Sequence, residues 1–145
     1  MNLDHASPRD EPWIRQLLIQ CGLPQEDITP EHLRHFWVLK EGAAVIGSIG
    51  LEISGRSALL RSLAVDPRFR KRGYGSALAQ RAEDYAAAMK VEELFLLTMT
   101  AEGFFRKRGY QRADRTSVPP EIQATVEFQK LCPASSICMM KRLSL

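Results

Sequence analysis

Apolar positions along this chain recur at two spacings, and the switches between them mark its elements. Ile14, Leu17, Leu18 and Cys21 fall at helical spacing. Ahead of them, Ser7-Pro8-Arg9-Asp10 offers a capping hydroxyl, a proline at the first helical position and a carboxylate three residues after the cap, while Gly22 and Pro24 supply a stop. Thr29-Pro30-Glu31 predicts a second, short helix through Arg34. Residues 36–39 and 44–52 are β-rich runs joined by Lys40-Glu41-Gly42, and Ser54-Gly55-Arg56 turns into a third run, 59–65, which Asp66-Pro67 ends. Three consecutive antiparallel strands are expected, with Gly47 and Gly50 marking a bulge or a close backbone approach.

Beyond them, Leu78, Ala82, Tyr85 and Met89 return to helical spacing and predict a helix over 75–89. Residues 93–98 read as a strand, and Thr100 caps a helix over 101–108 that Gly109 ends. A short strand over 110–113, a helix opened by Pro119-Pro120 and running to 130, and a last strand over 137–141 complete the order. The expectation is one α/β domain spanning residues 1–145, with a mixed sheet of about six strands and helices on both faces.

Composition narrows this little. A chain of 145 residues with 45% hydrophobic and 26% charged positions is ordinary for one compact domain. Its net charge of +3 is concentrated in residues 68–72 and 106–108, which suits a few phosphates better than a nucleic acid. No apolar run approaches the roughly 18 residues of a membrane span, and residues 1–10 lack an apolar signal-type stretch, so a cytoplasmic protein without membrane or nucleic-acid partners is expected. Cys21, Cys132 and Cys138 are an odd number without a C-x-x-C pair, which indicates reduced thiols and no metal site. The exposed edges of a small sheet and the apolar last strand suggest a homodimer.

Residues 59–78 carry the chemistry. An apolar strand leads to Arg68, Arg70, Lys71 and Arg72, then to Gly73-Tyr74-Gly75 and the start of a helix. A helix start leaves N–H groups unpaired and carries partial positive charge, so strand, glycine loop and helix together form a phosphate cradle. The third glycine of the dinucleotide motif and the Gly-Lys-Ser/Thr of a P-loop are both missing.

What Arg70-Lys71-Arg72-Gly73-Tyr74-Gly75 resembles is the Gln/Arg-x-x-Gly-x-Gly/Ala coenzyme A loop of the GNAT N-acetyltransferases. Leu63-Ala64-Val65-Asp66-Pro67 resembles that family's fourth strand, and the run from Ala101 to Tyr110 its fourth helix and following turn. The resemblance implies a GNAT fold, acetyl-CoA as co-substrate, no metal, and transfer to the amine of a small molecule. It places the coenzyme on Arg70, Lys71, Arg72, Gly73, Tyr74, Gly75 and Ser76, on main-chain groups of Leu63 and Val65, and beside Phe105. It also sets Glu31, His32 and His35 near the acceptor. The chain further resembles the GNAT subgroup encoded with arsenic-resistance genes. That likeness rests on residues 96–102, on the Thr125, Glu127 and Phe128 pattern after Pro120, and on residues 131–136. It implies amino-acid-like acceptors bearing an arsenic or phosphorus oxyacid, with Thr125, Glu127, Cys132 and Ser135 as pocket residues.

Two departures matter. The family often has a tyrosine, as acid near the coenzyme sulfur, where this chain has Phe105, and phenylalanine has no proton to give. Many members have an asparagine where this chain has Thr98, whose hydroxyl could still donate. Glu52 is the first candidate for general base and Glu127, a substrate-binding candidate, the second. Arg61 stands out within an apolar strand: it either clamps an anionic group of the acceptor or points to solvent. The rival readings are a non-catalytic CoA-binding sensor and a basic module on nucleic acid.

Overall fold

The computed structural model describes residues 2–143. Seven strands form one sheet, in the order β1-β2-β3-β4-β5-β7-β6. The strands are β1 (Asn2–His5), β2 (Phe36–Glu41), β3 (Ala44–Ser54), β4 (Ser57–Val65), β5 (Glu93–Thr98), β6 (Gln111–Arg112) and β7 (Ile137–Arg142). Helices α1 (Glu11–Gln20), α2 (Tyr74–Ala88), α3 (Glu102–Lys107) and α4 (Pro120–Gln123) alternate with them. The chain divides into two compact units, one made of residues up to Glu52 with Leu60–Tyr85, the other of Ile53–Leu59 with residues from Ala86 onward.

In the first unit, α1 is ten residues long, too short to stand alone in water, and is held by packing. Ile14, Leu17 and Leu18 are buried against Ile28, Leu33, Phe36, Val38 and Ala64, each large apolar side chain contributing about 2 kcal/mol. The capping residues of the sequence open a 3-10 turn, Pro8–Asp10, ahead of α1 rather than α1 itself: Asp10 accepts the Ser7 backbone N–H at 2.8 Å, and Lys40 pairs with the same carboxylate at 2.9 Å. β2 and β3 run antiparallel with a register shift between Leu39 and Lys40. Gly50 lies opposite Phe36, and a β-carbon there would fall 2.2 Å from the ring, so close approach is what this glycine permits. In the second unit, β4 pairs with β5 in parallel from Ser57 to Leu59, and β5 pairs antiparallel with β7. Leu59, Phe95, Val118, Ile122, Phe128 and Cys138 form its core.

Several expectations need correction. The sheet has seven strands rather than about six, because β1 forms by backbone pairing with β2 although only Leu3 is apolar in it. The second helix is a single 3-10 turn, His32–His35. Thr100 does not cap α3: the cap residue is Ala101, with no side-chain cap bond, and its N–H donates instead to the Thr98 hydroxyl at 3.0 Å in the turn before the helix. The segment after Pro120 is not one helix: α4 stops at Gln123 and a π-helical turn, Glu127–Leu131, follows. Thr125 makes the break, donating its hydroxyl to the Ile122 carbonyl at 2.8 Å and accepting the Phe128 N–H at 3.3 Å. Met89 is exposed beyond the end of α2, and the 110–113 strand shrinks to β6. Among the described residues no helix is long and apolar enough to cross a membrane.

Candidate functional site

The first unit carries the glycine loop. Asp66 ends β4 and caps a 3-10 turn, Pro67–Phe69, accepting the Arg68 N–H at 2.9 Å and pairing with Arg68 Nη2 at 2.9 Å. Those Arg68 hydrogen bonds hold the Asp66 carboxyl below its ordinary range. Arg70 Nε donates to the Val65 carbonyl at 3.1 Å, and the Arg72 guanidinium lies 5.3 Å from the Phe69 ring centre. Lys71 and Gly73 then take φ of +63° and +82°, turning the chain into the 15-residue α2, whose first backbone bond runs from Ala77 N–H to the Gly73 carbonyl at 3.1 Å. A β-carbon at Gly73 would meet nothing within 4 Å, so left-handed backbone, not crowding, calls for glycine there. Gly73 and Ser76 are exposed, and Gly75 and Tyr74 are half-buried. Exposed N–H groups at a helix start, with Lys71 and Arg72 outside any ion pair among the described residues, suit a polyphosphate.

Upstream, β4 kinks. Ser62 is buried with φ of +59°, uncommon for a non-glycine residue, and its carbonyl accepts the Ser48 hydroxyl at 2.8 Å. Leu63 and Val65, half-buried, follow the kink directly.

Next to Ser62 stands Arg61, with a side chain 0% exposed. It points neither to solvent nor to an open cleft. Its fork donates to both Asp27 oxygens at 2.5 and 2.7 Å, Nη1 also reaches Glu52 at 2.9 Å, and Nε donates to the Ser62 hydroxyl at 3.0 Å. Arg61 reaches an acceptor only by releasing Asp27 or Glu52. Glu52 in turn faces His32, with Nε2 3.5 Å from Oε1. Burial alone would raise the Glu52 carboxyl, but hydrogen bonds from His32 and Arg61 more than offset it and leave it low. The Glu52 hydrogen bond holds His32 above its ordinary value, against burial. Burial likewise pushes Asp27 up, and the Arg61 fork brings it below its ordinary value. Ligand atoms of Asp27, His32 and Glu52 lie within 4.8 Å of one another, a spacing a cation could use, but the Arg61 guanidinium already occupies the space between the two carboxylates.

The second unit holds the other candidates. Thr98 is 9% exposed and bound to the α3 entry. Phe105 is 5% exposed, its ring edge-on to Tyr110 at 5.3 Å. Glu127 is buried on the π-helical turn. Ser135 and Ser136 hydroxyls approach Met99 sulfur at 4.0 and 3.3 Å, and Arg115 donates to the Pro133 and Ser136 carbonyls at 3.1 and 3.0 Å. The basic run at 106–108 is partly neutralised: Arg112 and Arg106 pair with Glu102 at 2.5 and 2.8 Å and hold its carboxyl at about 2. The three cysteines are free thiols.

Sequence reasoning does not find Asp27, whose partner Arg61 lies 34 residues away. The available hint is Arg61 itself, since a buried guanidinium in an apolar strand demands a carboxylate.

Comparison with known proteins gives the family. An uncharacterized N-acetyltransferase of Chlorobaculum tepidum is 33% identical over 115 residues, covering 78% of this chain and 74% of that one. An amino-acid acetyltransferase of Pseudomonas syringae pv. tomato is 27% identical over 106 residues, 72% of this chain, which spans only 24% of that protein's length. In fold, the chain matches N-acetylglutamate synthase of Neisseria gonorrhoeae, complexed with coenzyme A and N-acetyl-glutamate. The TM-score is 0.85 at 22% identity, covering 99% of this chain and 35% of that one. The sequence pattern of the Acetyltransferase (GNAT) family matches residues 3–110. From that match, and from the loop that precedes α2, the chain belongs to the acetyltransferase (GNAT) family as an acetyl-CoA-dependent N-acetyltransferase.

Proposed function

We propose that this enzyme moves the acetyl group of acetyl-CoA directly to the amine of an amino-acid-like acceptor carrying an arsenic or phosphorus oxyacid. The observation that carries the coenzyme half is the continuous run from the Ser62 kink through Gly73 into α2, which sets main-chain groups of Leu63 and Val65 and the α2 start along one stretch of chain. The amino-acid half is supported by the names of the Pseudomonas and Neisseria relatives, and the oxyacid by the likeness of residues 96–102 and 120–136 to the arsenic-associated subgroup.

In this reading Arg70, Lys71 and Arg72 and the backbone of Gly73, Tyr74, Gly75 and Ser76 hold the pyrophosphate. Leu63 and Val65 pair with the pantetheine arm through their main chains. Glu52 takes the proton of the acceptor ammonium. The freed amine attacks the thioester carbon, a C–N bond forms as the C–S bond breaks, and coenzyme A leaves as a thiolate. The nitrogen loses its second proton as the amide forms, and that proton passes through solvent to the thiolate, since Phe105 has none to give. Arg61 acts on the acceptor through Glu52.

Thiol release from acetyl-CoA tests this, with L-glutamate and its methylphosphinate and methylarsinate analogues as acceptors. Release with the oxyacid analogues, faster than with L-glutamate, is expected. Equal or greater turnover of simple amines lacking a carboxylate would contradict the acceptor assignment.

A further inference from the structure

Four charged or titratable side chains of the first unit meet in one network, and the reading of Glu52 as base uses only one of them. Arg61 and Asp27 form its buried floor, with side chains 0% and 5% exposed. Glu52 and His32 form its open side, at 18% and 23%. The floor is tied to the kinked strand, because Arg61 Nε donates to the hydroxyl of Ser62, the left-handed residue of β4. The open side is tied to the loop before the 3-10 turn, where the Thr29 N–H donates to His32 Nδ1 at 3.0 Å. Neutral His32 therefore carries its proton on Nε2, facing Glu52. Once protonated, the ring still finds a partner at Nδ1, since the Thr29 hydroxyl oxygen lies 3.1 Å away.

Charge counting gives the network a direction. With His32 neutral, two carboxylates face one guanidinium, leaving one uncompensated negative charge. Uptake of one proton brings the group to neutrality without breaking either Arg61 pair.

We propose that Asp27 and His32 are positioning residues of acetyl transfer: Asp27 pins Arg61 against the kinked strand, and His32 shares with Glu52 the proton taken from the acceptor ammonium. The proposal rests on Glu52 being the base. One ammonium proton passes to the Glu52–His32 pair and then to solvent. The second, lost from the amine nitrogen as the amide forms, balances the departing thiolate. Asp27 reaches no reacting atom in this scheme; it keeps Arg61 from closing fully on Glu52.

Two readouts test it. The chain has three histidines, so imidazole proton NMR, assigned with His32→Asn, follows His32 alone. In the wild type it titrates above 6.5 and in Glu52→Gln it falls by about one unit or more; identical titration in both overturns the pairing. The second readout is the pH profile of thiol release from acetyl-CoA with L-glutamate and its methylphosphinate analogue. His32→Asn, which keeps an acceptor for the Thr29 N–H, lowers kcat about tenfold or more. It also moves the acid limb of kcat/KM down by about one pH unit, while acetyl-CoA still raises its melting temperature. Asp27→Asn moves the limb the same way by less. His32→Gln, whose amide can still donate to Glu52, recovers part of kcat but not the limb. A wild-type limb in either His32 variant overturns the proposal. If neither acceptor turns over, the NMR arm decides alone. Failure of acetyl-CoA to stabilise the wild type would instead sink the parent reading.

Discussion

Gly50 and Phe36 show how a single residue sets the spacing of two strands. Any side chain at position 50 would enter the ring of Phe36, itself fully buried. Gly50→Ala is expected to cost about 1–3 kcal/mol by overpacking, read as a lower midpoint in urea with an unchanged slope; an unshifted midpoint would mean that the ring moves aside freely. Asp27 and His32 make the stability of the first unit depend on pH in opposite senses. The Asp27 carboxyl is lowered from 3.8, so its contribution is complete above that value and fades as pH falls through the folded one. His32 is raised from 6.5, so its contribution is complete below that value and is lost as pH rises through the folded one. The stability gap between wild type and His32→Asn should thus be larger at pH 5.5 than at pH 8.5. A gap independent of pH would show that His32 is not coupled to Glu52.

At the scale of elements, α3 is six residues long and depends on its ends. At one end the Thr98 hydroxyl accepts the Ala101 N–H; at the other, Gly109 takes φ of +94° and the Tyr110 N–H returns to the Phe105 carbonyl at 3.0 Å. Thr98→Val removes the acceptor of the Ala101 N–H and should cost about 1 kcal/mol, whereas Thr98→Ser should restore it. An unshifted urea midpoint in Thr98→Val would show that this bond contributes nothing to holding α3. Elements differ in how openly the sequence announces them. The passage from β4 through the loop into α2 is legible because its cations, glycines and helix start are contiguous. β1 is not, since a four-residue strand held by backbone pairing leaves almost no alternation to read. The break at Thr125 is equally hidden, because the competition between its hydroxyl and the helix ladder depends on local geometry rather than on any apolar spacing. The ion network is half visible: Glu52 and Arg61 stand out by position, while Asp27 joins them only through a turn of the chain.

For the whole molecule, the net charge of +3 is too small to direct partner choice, and what matters is where the positive groups remain available. Near the loop, Arg68 is engaged by Asp66, whereas Lys71 and Arg72, beside the start of α2, enter no ion pair among the described residues. The GNAT assignment thus makes a demand on one loop, and the most direct measurement is a thermal-shift titration of the intact chain with acetyl-CoA, beside Gly73→Glu. At about 100 times the dissociation constant the wild type should gain about 2.7 kcal/mol, a rise of roughly 6–10 °C. Gly73→Glu, forced into left-handed backbone at a cost of about 1–2 kcal/mol and setting a carboxylate where phosphates bind, should melt a few degrees lower and show no rise at all. Equal stabilisation of both proteins would contradict the placement of the coenzyme on this loop, and no stabilisation of either would contradict the coenzyme site itself.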